Sequence, residues 1–163
     1  MAGVSIQLYD DKECSFIEFI DAYLPMLEAV IINFGEEEIW VVNHDDKNMP
    51  WFPTDNGNLS KLRLLFKQYN ISNTFRGYLT LTGKDLILYS QDFISYPFRM
   101  FAEEGMLYKN IDISHSSLPF IIKISGHLTV DFISTDKRLL KKLIGEYTKK
   151  FIVKEYWGSN IWD

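Results

Sequence analysis

The single cysteine, Cys14, and the three histidines, His44, His115 and His127, are the side chains that could supply a nucleophile and its general base. Such a pair must lie within hydrogen-bond reach. The spacing of these residues matches no catalytic motif. A lone cysteine is more often a small buried apolar residue, although a helix that begins after Cys14 would lower the pKa of its thiol. We therefore assign no catalytic residue.

A second arrangement that could transfer protons is His127, Thr129 and Asp131, which alternate along a predicted strand. Alternate residues of a strand point to the same face of a sheet, so His127 and Asp131 would be neighbours. The same alternation also occurs on an ordinary half-exposed sheet face that has no catalytic role. An enzyme that uses His127 and Asp131 therefore remains an alternative.

Metal and cofactor sites have little support in the sequence. His44-Asp45-Asp46 offers ligand atoms, but adjacent residues seldom converge on one ion. The stretch Asp55-Asn56-Gly57-Asn58 lacks the late bidentate acid of a calcium loop and is more typical of a turn and helix cap. The nine glycines are scattered, which excludes a glycine-rich phosphate loop. We predict no metal and no cofactor.

Helix signals are clear in three places. Ser15 and Glu18 form a capping-box pattern, which predicts a helix that Pro25 kinks or divides before Gly35 ends it. A second helix should start at a cap provided by Asn58 or Ser60. The apolar period of 136–150 predicts a third helix, with its lysines outward.

Strand signals occur between these helices. Alternating or continuous apolar residues predict strands over Val4–Tyr9, Glu38–Val42 and Phe151–Trp157. Two hairpins are expected, one over Phe75–Tyr89 with a Gly83-Lys84 turn and one over Leu118–Ser134 with a Ser125-Gly126 turn.

Together, these elements predict a single α+β domain spanning residues 1–163. Its mainly antiparallel sheet, built from the two hairpins and the additional strands, packs with three to four helices. The strand order and the structure of residues 91–117 stay open. Turn-forming residues over Asn43–Gly57 predict a loop of about fifteen residues, a length typical of loops that carry a function.

Charge is distributed unevenly along the chain. Residues 1–58 carry a net charge of −10 and residues 59–163 a net charge of +5. If folding keeps the acids together, their field attracts a cationic partner and repels nucleic acid. The equal alternative is that folding mixes the two signs on the surface.

A basic partner is favoured over nucleic acid or a membrane. The lysine-rich helix at 137–150, with Tyr156, Trp157 and Trp162 for stacking, is the best argument for nucleic acid, but the pI is near 5.2. The longest apolar runs have four residues, far fewer than the roughly 20 that a membrane span requires. One cysteine and an amino terminus without a basic leader lead us to expect a cytoplasmic location.

The predicted partner-binding surface combines acids with aromatic residues around the long loop. It consists of Glu36, Glu37, Glu38, Asp45, Asp46, Trp51, Phe52 and Asp55. If the loop folds back beside the start of the strand, the acids surround an aromatic centre, which is the composition of a protein-binding hot spot. The alternative is that Trp51 and Phe52 belong to the core.

A small, acidic, aromatic-rich α+β chain without a catalytic motif resembles the immunity proteins of bacterial contact-dependent growth inhibition and related polymorphic toxin systems. The resemblance covers the whole chain as a profile and rests on no shared motif. It implies a cytoplasmic protein that binds and neutralises a cognate, basic toxin domain, for example a nuclease. An adaptor domain for another basic protein is a second alternative, and the oligomeric state is open.

Overall fold

In the computed structural model of this chain, the described residues form one sheet of seven antiparallel strands, in the order β3-β2-β4-β5-β6-β1-β7. The structure describes residues 1–53, 57–104 and 110–163. The strands are β1 (Ala2–Gln7), β2 (Ile39–His44), β3 (Leu79–Thr82), β4 (Ile111–His115), β5 (Phe120–Ile124), β6 (Val130–Ser134) and β7 (Ile152–Glu155).

The described residues form five helices, so the fold is α+β as the sequence predicts. The helices are α1 (Phe16–Gly35), α2 (Ser60–Gln68), α3 (Gly83–Leu88), α4 (Ser90–Glu104) and α5 (Lys137–Tyr147). Helix α1 is central, since it contacts α3, α4 and α5. It is also bonded to the sheet, because the Tyr23 hydroxyl donates to the Ile6 carbonyl at 2.9 Å.

The core lies between this helical layer and one face of the sheet. The register aligns one buried apolar residue from each of six strands in a continuous row, which consists of Val4, Phe132, Ile122, Ile113, Val42 and Leu79. Alternate residues of the strands face the other way and, apart from the buried Gly3, are at least partly exposed. One face of the sheet is therefore packed and the other is wetter.

Local signals predicted α1 and α5 well. The Ser15 hydroxyl accepts from the Glu18 amide at 3.2 Å, and the Glu18 carboxylate accepts from the Ser15 amide at 2.8 Å, so the capping box is confirmed. Helix α1 nevertheless continues from Phe16 to Gly35 without division at Pro25. Buried residues anchor the helix on both sides of the proline, Phe19 and Tyr23 before it and Leu27 and Val30 after it.

The predicted hairpin over Phe75–Tyr89 is wrong. Leu79–Thr82 forms the edge strand β3, but Gly83–Leu88 forms helix α3 instead of a returning strand. The Thr82 hydroxyl accepts from the Asp85 amide at 3.2 Å and caps this helix. A threonine three residues before an acid is a helix-start signal, and here it prevails over a Gly83-Lys84 turn.

The second hairpin is confirmed, with a longer connection. Strands β5 and β6 pair antiparallel, but Ser125–Thr129 joins them, so residues 127–129 lie outside the strand. The unassigned stretch 91–117 contains both helix α4 and strand β4, and the five residues between α4 and Asn110 lie outside the described part of the chain.

Helix α2 begins at Ser60, and its N-cap position is Leu59 instead of the expected Asn58 or Ser60. Leu59 occupies the cap position with a φ of 56° and provides no side-chain cap. The Asp92 carboxylate, from α4, accepts from the Leu62 amide at 2.9 Å and satisfies this helix end instead.

The part of the chain that the structure describes includes no helix with the length and apolarity needed to cross a membrane.

Candidate protein-binding site

Strand β2 separates the predicted acids. Glu36, Glu37 and Glu38 precede the strand, whereas Asp45 and Asp46 follow it. Six strand residues span about 20 Å, so the two groups lie beyond opposite ends of this strand. Asp55 lies outside the described residues. The described acids therefore do not surround one centre.

Trp51 and Phe52 belong to the core, which corrects the prediction of an exposed aromatic centre. Trp51 is 0% exposed and Phe52 is 4% exposed. The indole N–H of Trp51 donates to the Gly77 carbonyl at 2.8 Å, and its ring lies 5.0 Å from that of His44. His44 ends β2, so the loop packs beside the end of the strand and not beside its start.

A different set of exposed side chains lies together at the β3 edge. Tyr69, Tyr78 and Leu88 are 65%, 62% and 58% exposed. They line a surface groove of about 620 Å³, which lies between α2, α3 and β3. We call this feature the β3 groove. Its floor includes the buried residues Leu65, Leu79 and Leu81, so an apolar side chain placed there would lose contact with water.

Backbone groups of β3 are open beside this groove. The Gly83 amide donates to the Glu38 carbonyl at 3.0 Å, which fixes the phase of the β2–β3 ladder. Along an antiparallel pair, every second residue bonds to the partner strand. Gly83 bonds to Glu38, directly before β2, so Leu81 and Leu79 bond to β2 as well, whereas the Thr80 N–H and C=O point away from β2. Since β3 is the end strand of the sheet, those groups face the free edge.

Negative charge adjoins the groove at the Thr82 end of β3. Among the described residues, Asp85 is the only charged one that lines the groove. Glu36, Glu37 and Glu38 are exposed and lie next to Gly83-Lys84, because the Lys84 amide donates to the Glu36 carbonyl at 2.8 Å. Lys84 forms an ion pair with Glu37, which raises the pKa of the lysine. Four acidic residues, Glu36, Glu37, Glu38 and Asp85, and the basic residue Lys84 thus lie at or next to this end of the groove.

The groove is not predictable from the expected hairpin over Phe75–Tyr89. That hairpin would pair the residues after Tyr78 with one another, whereas the structure has an edge strand followed by a helix. The capping pattern of Thr82 and Asp85 would have predicted α3 and left β3 as an edge strand. The position of that strand at the end of the sheet depends on long-range pairing, which no local pattern specifies.

Cys14 and His127 line one pocket of about 340 Å³, but the thiol is not prepared for catalysis. Burial raises the pKa of the Cys14 thiol, and the nearby carboxylates Glu18 and Glu13 raise it further. The Cys14 Sγ lies 3.9 Å from the Leu128 carbonyl oxygen, an acceptor that favours the protonated form. This environment keeps the group a thiol near neutral pH.

The predicted alternation of His127 and Asp131 on one strand is wrong. Strand β6 begins at Val130, and His127 lies in the connection before it. Asp131 is on the wetter face of the sheet, where its carboxylate accepts from the Tyr156 hydroxyl. Tyr156 crosses β1 over Gly3, where a Cβ would lie 2.7 Å from the tyrosine ring. Burial, and then the bond to Asp131, raise the pKa of Tyr156.

Among the described residues, no group of three or more histidine, cysteine, aspartate or glutamate side chains is arranged to hold a metal ion. His44, which the sequence places beside Asp45, is fully buried and packs against Trp51. Its ring therefore faces the core, while Asp45 is exposed.

No protein-family model, curated protein or solved structure matches this chain. A functional interpretation therefore depends on the geometry described above.

Proposed function

We propose that this chain is a non-catalytic binding protein of the immunity type, which captures a basic toxin domain and neutralises it in the cytoplasm. The observation that carries the proposal is the β3 groove, where Tyr69, Tyr78 and Leu88 surround a buried apolar floor. Aromatic residues around a pocket that excludes water are typical of binding hot spots.

The charges near the groove support a basic partner. Glu36, Glu37, Glu38 and Asp85 lie at its Thr82 end, with Lys84 as the one base among them. The basic helix α5 contacts β6, four strand positions from β3, or roughly 19 Å along the sheet. A field of one sign speeds capture, which matters when the free partner is toxic.

Co-expression tests the proposal. The C-terminal domain of the protein encoded directly upstream of this reading frame is expressed in a host cell alone and together with this chain. We expect growth arrest with the domain alone and normal growth with both proteins. An upstream product that is harmless, or an arrest that this chain does not relieve, would contradict the proposal.

A matched pair of variants tests the role of the acids. Glu36→Gln/Glu37→Gln/Glu38→Gln and Asp10→Asn/Asp11→Asn/Glu13→Gln each remove three exposed carboxylates, but only the first set lies near the β3 groove. At low salt we expect the first variant to bind the toxin domain with a roughly tenfold lower association rate constant, and this rate should depend less on salt. The second variant should bind at nearly the wild-type rate. Equal effects would mean that net charge, and not this surface, governs capture.

A further inference from the structure

The two edge strands of the sheet differ in their protection. β7 has the sequence IVKE, with Lys154 and Glu155 exposed, and charges on an edge strand discourage further pairing. β3 has the sequence LTLT and no charged residue. Tyr78, directly before β3, is also exposed. Of the two edge strands, β3 is thus the one that lacks charged residues and can pair with an additional strand.

The groove lies where the side chains of an added strand would go. Leu79 and Leu81 face the helical layer and form part of the groove floor. A strand paired with β3 would direct alternate side chains to the same side, about 7 Å apart. Its remaining side chains would lie beside Thr80 on the other face of the sheet.

From this placement we infer that the partner binds by adding an extended segment to β3, with apolar side chains in the β3 groove and basic residues near its acidic end. The inference rests on the proposed function and specifies how the partner is held. The Thr80 N–H and C=O supply the backbone bonds, and the groove selects alternate apolar residues.

Charge complementarity selects the occupant. Asp85 lines the groove, and Glu36, Glu37 and Glu38 follow at the Thr82 end. A segment with lysine or arginine there would pair with carboxylates, whereas an acidic segment would be repelled. In a second copy of this chain the strand itself has the uncharged sequence LTLT, so none of its four residues would form an ion pair with these acids.

The test uses a blocked seven-residue peptide in which lysine alternates with valine, added to ¹⁵N-labelled protein. We expect shift changes at the amides of Thr80, Thr82 and the groove residues, and none with the peptide in which glutamate replaces lysine. Shifts that map elsewhere, or no shifts at millimolar peptide, would overturn the inference.

Backbone methylation of the peptide separates strand addition from side-chain docking without altering the protein. One analogue carries N-methyl groups on its valines and the other on its lysines. Alternate amides of a strand point to opposite edges, so one analogue should lose binding and the other should keep it. In an antiparallel pair the lysines bond to β3, so N-methylation of the lysines should abolish binding. In a parallel pair the valines bond to β3, so N-methylation of the valines should abolish binding. Equal binding of the two analogues would contradict strand addition.

Variants of Thr80 provide the matching test on the protein. Thr80→Pro removes the outward N–H without breaking the bonds to β2, and it should weaken peptide binding about tenfold or more. Thr80→Val keeps the backbone groups and should bind like the wild type. A dimer that sedimentation detects in the wild type but not in Thr80→Pro would assign the edge to a second copy and overturn the inference.

The two proposals can fail separately. If Thr80→Pro protects cells from the toxin domain as well as the wild type does, strand addition is wrong and the proposed function stands. If the upstream domain is harmless while the peptide pairs with β3, the immunity function is wrong and the strand-binding edge stands.

Discussion

The amide of Gly83 donates to the carbonyl of Glu38 at 3.0 Å, and this bond joins the acidic turn before β2 to the end of the edge strand β3. A Cβ at position 83 would lie 2.2 Å from the Gly35 carbonyl oxygen and 2.7 Å from the Glu36 Cα. Both contacts are with backbone, which cannot move aside easily. The close packing of this corner therefore requires glycine.

We expect Gly83→Ala to reduce the free energy of unfolding by about 1–3 kcal/mol, because the turn must shift to accept the methyl group. Urea unfolding followed by circular dichroism measures the change. Gly145→Ala is the control, since position 145 is exposed within α5 and a Cβ there meets nothing within 4 Å. The control should stabilise the protein by about 0.5–1 kcal/mol. An unchanged free energy of unfolding for Gly83→Ala would mean that the turn accepts a methyl group and is not tightly packed.

Trp51 should matter for stability and not as an exposed binding anchor. Its side chain is 0% exposed and its indole N–H bonds to the Gly77 carbonyl, so Trp51→Ala should reduce the free energy of unfolding by about 3–5 kcal/mol. Trp157 is fully exposed, and Trp157→Ala should change it by less than about 0.5 kcal/mol. Thermal melts of both variants provide the comparison, and similar small losses would place Trp51 outside the core.

The Cys14 thiol should react slowly with iodoacetamide at neutral pH. Burial and neighbouring carboxylates raise its pKa, so less of the reactive thiolate is present than in a free cysteine. The rate should rise with pH through a midpoint above that of glutathione, and unfolding in urea should remove the difference. A midpoint below that of glutathione would reopen the alternative of a catalytic cysteine.

Asp136 should stabilise helix α5 in a pH-dependent way. Its carboxylate accepts from the Arg138 amide at 2.8 Å, and the bonds from the Arg138 and Leu139 amides lower its pKa. A lowered pKa contributes stability above the ordinary carboxyl pKa, and that stability is lost as the pH falls through the folded value.

Asp136→Ala should therefore lower the urea midpoint at pH 7, and the gap to the wild type should narrow as the pH falls below the ordinary carboxyl range. Asp136→Asn keeps a capping oxygen that does not titrate, and it should retain more stability at low pH than at pH 7, relative to the wild type. A gap for Asp136→Ala that is constant with pH would rule out the charged cap.

The sequence predicted elements whose signals are local. Ser15 with Glu18 identified the start of α1, and the apolar period identified α5. Helix α2 was predicted with the wrong cap, because its partner Asp92 lies 30 positions away in another helix. The hairpin error arose at Thr82, where a capping signal and a turn signal compete within three residues.

The candidate site was only partly predictable. Composition indicated acids and aromatic residues, and Glu36–Glu38 do lie near an exposed aromatic groove. The aromatic residues are Tyr69 and Tyr78, not Trp51 and Phe52, because the loop packs its two large rings into the core. Which rings remain exposed depends on the position of β3 at the end of the sheet, and this follows only from the complete strand order.

Amide hydrogen exchange at Thr80, in the free protein and in its complex with the toxin domain that co-expression identifies, tests the central claim most directly. In the free protein this amide faces the open edge and should exchange quickly. Binding should slow its exchange strongly, while the outward amides of Val153 and Glu155 on β7 stay unchanged. Fast exchange at Thr80 in a saturated complex would contradict the account.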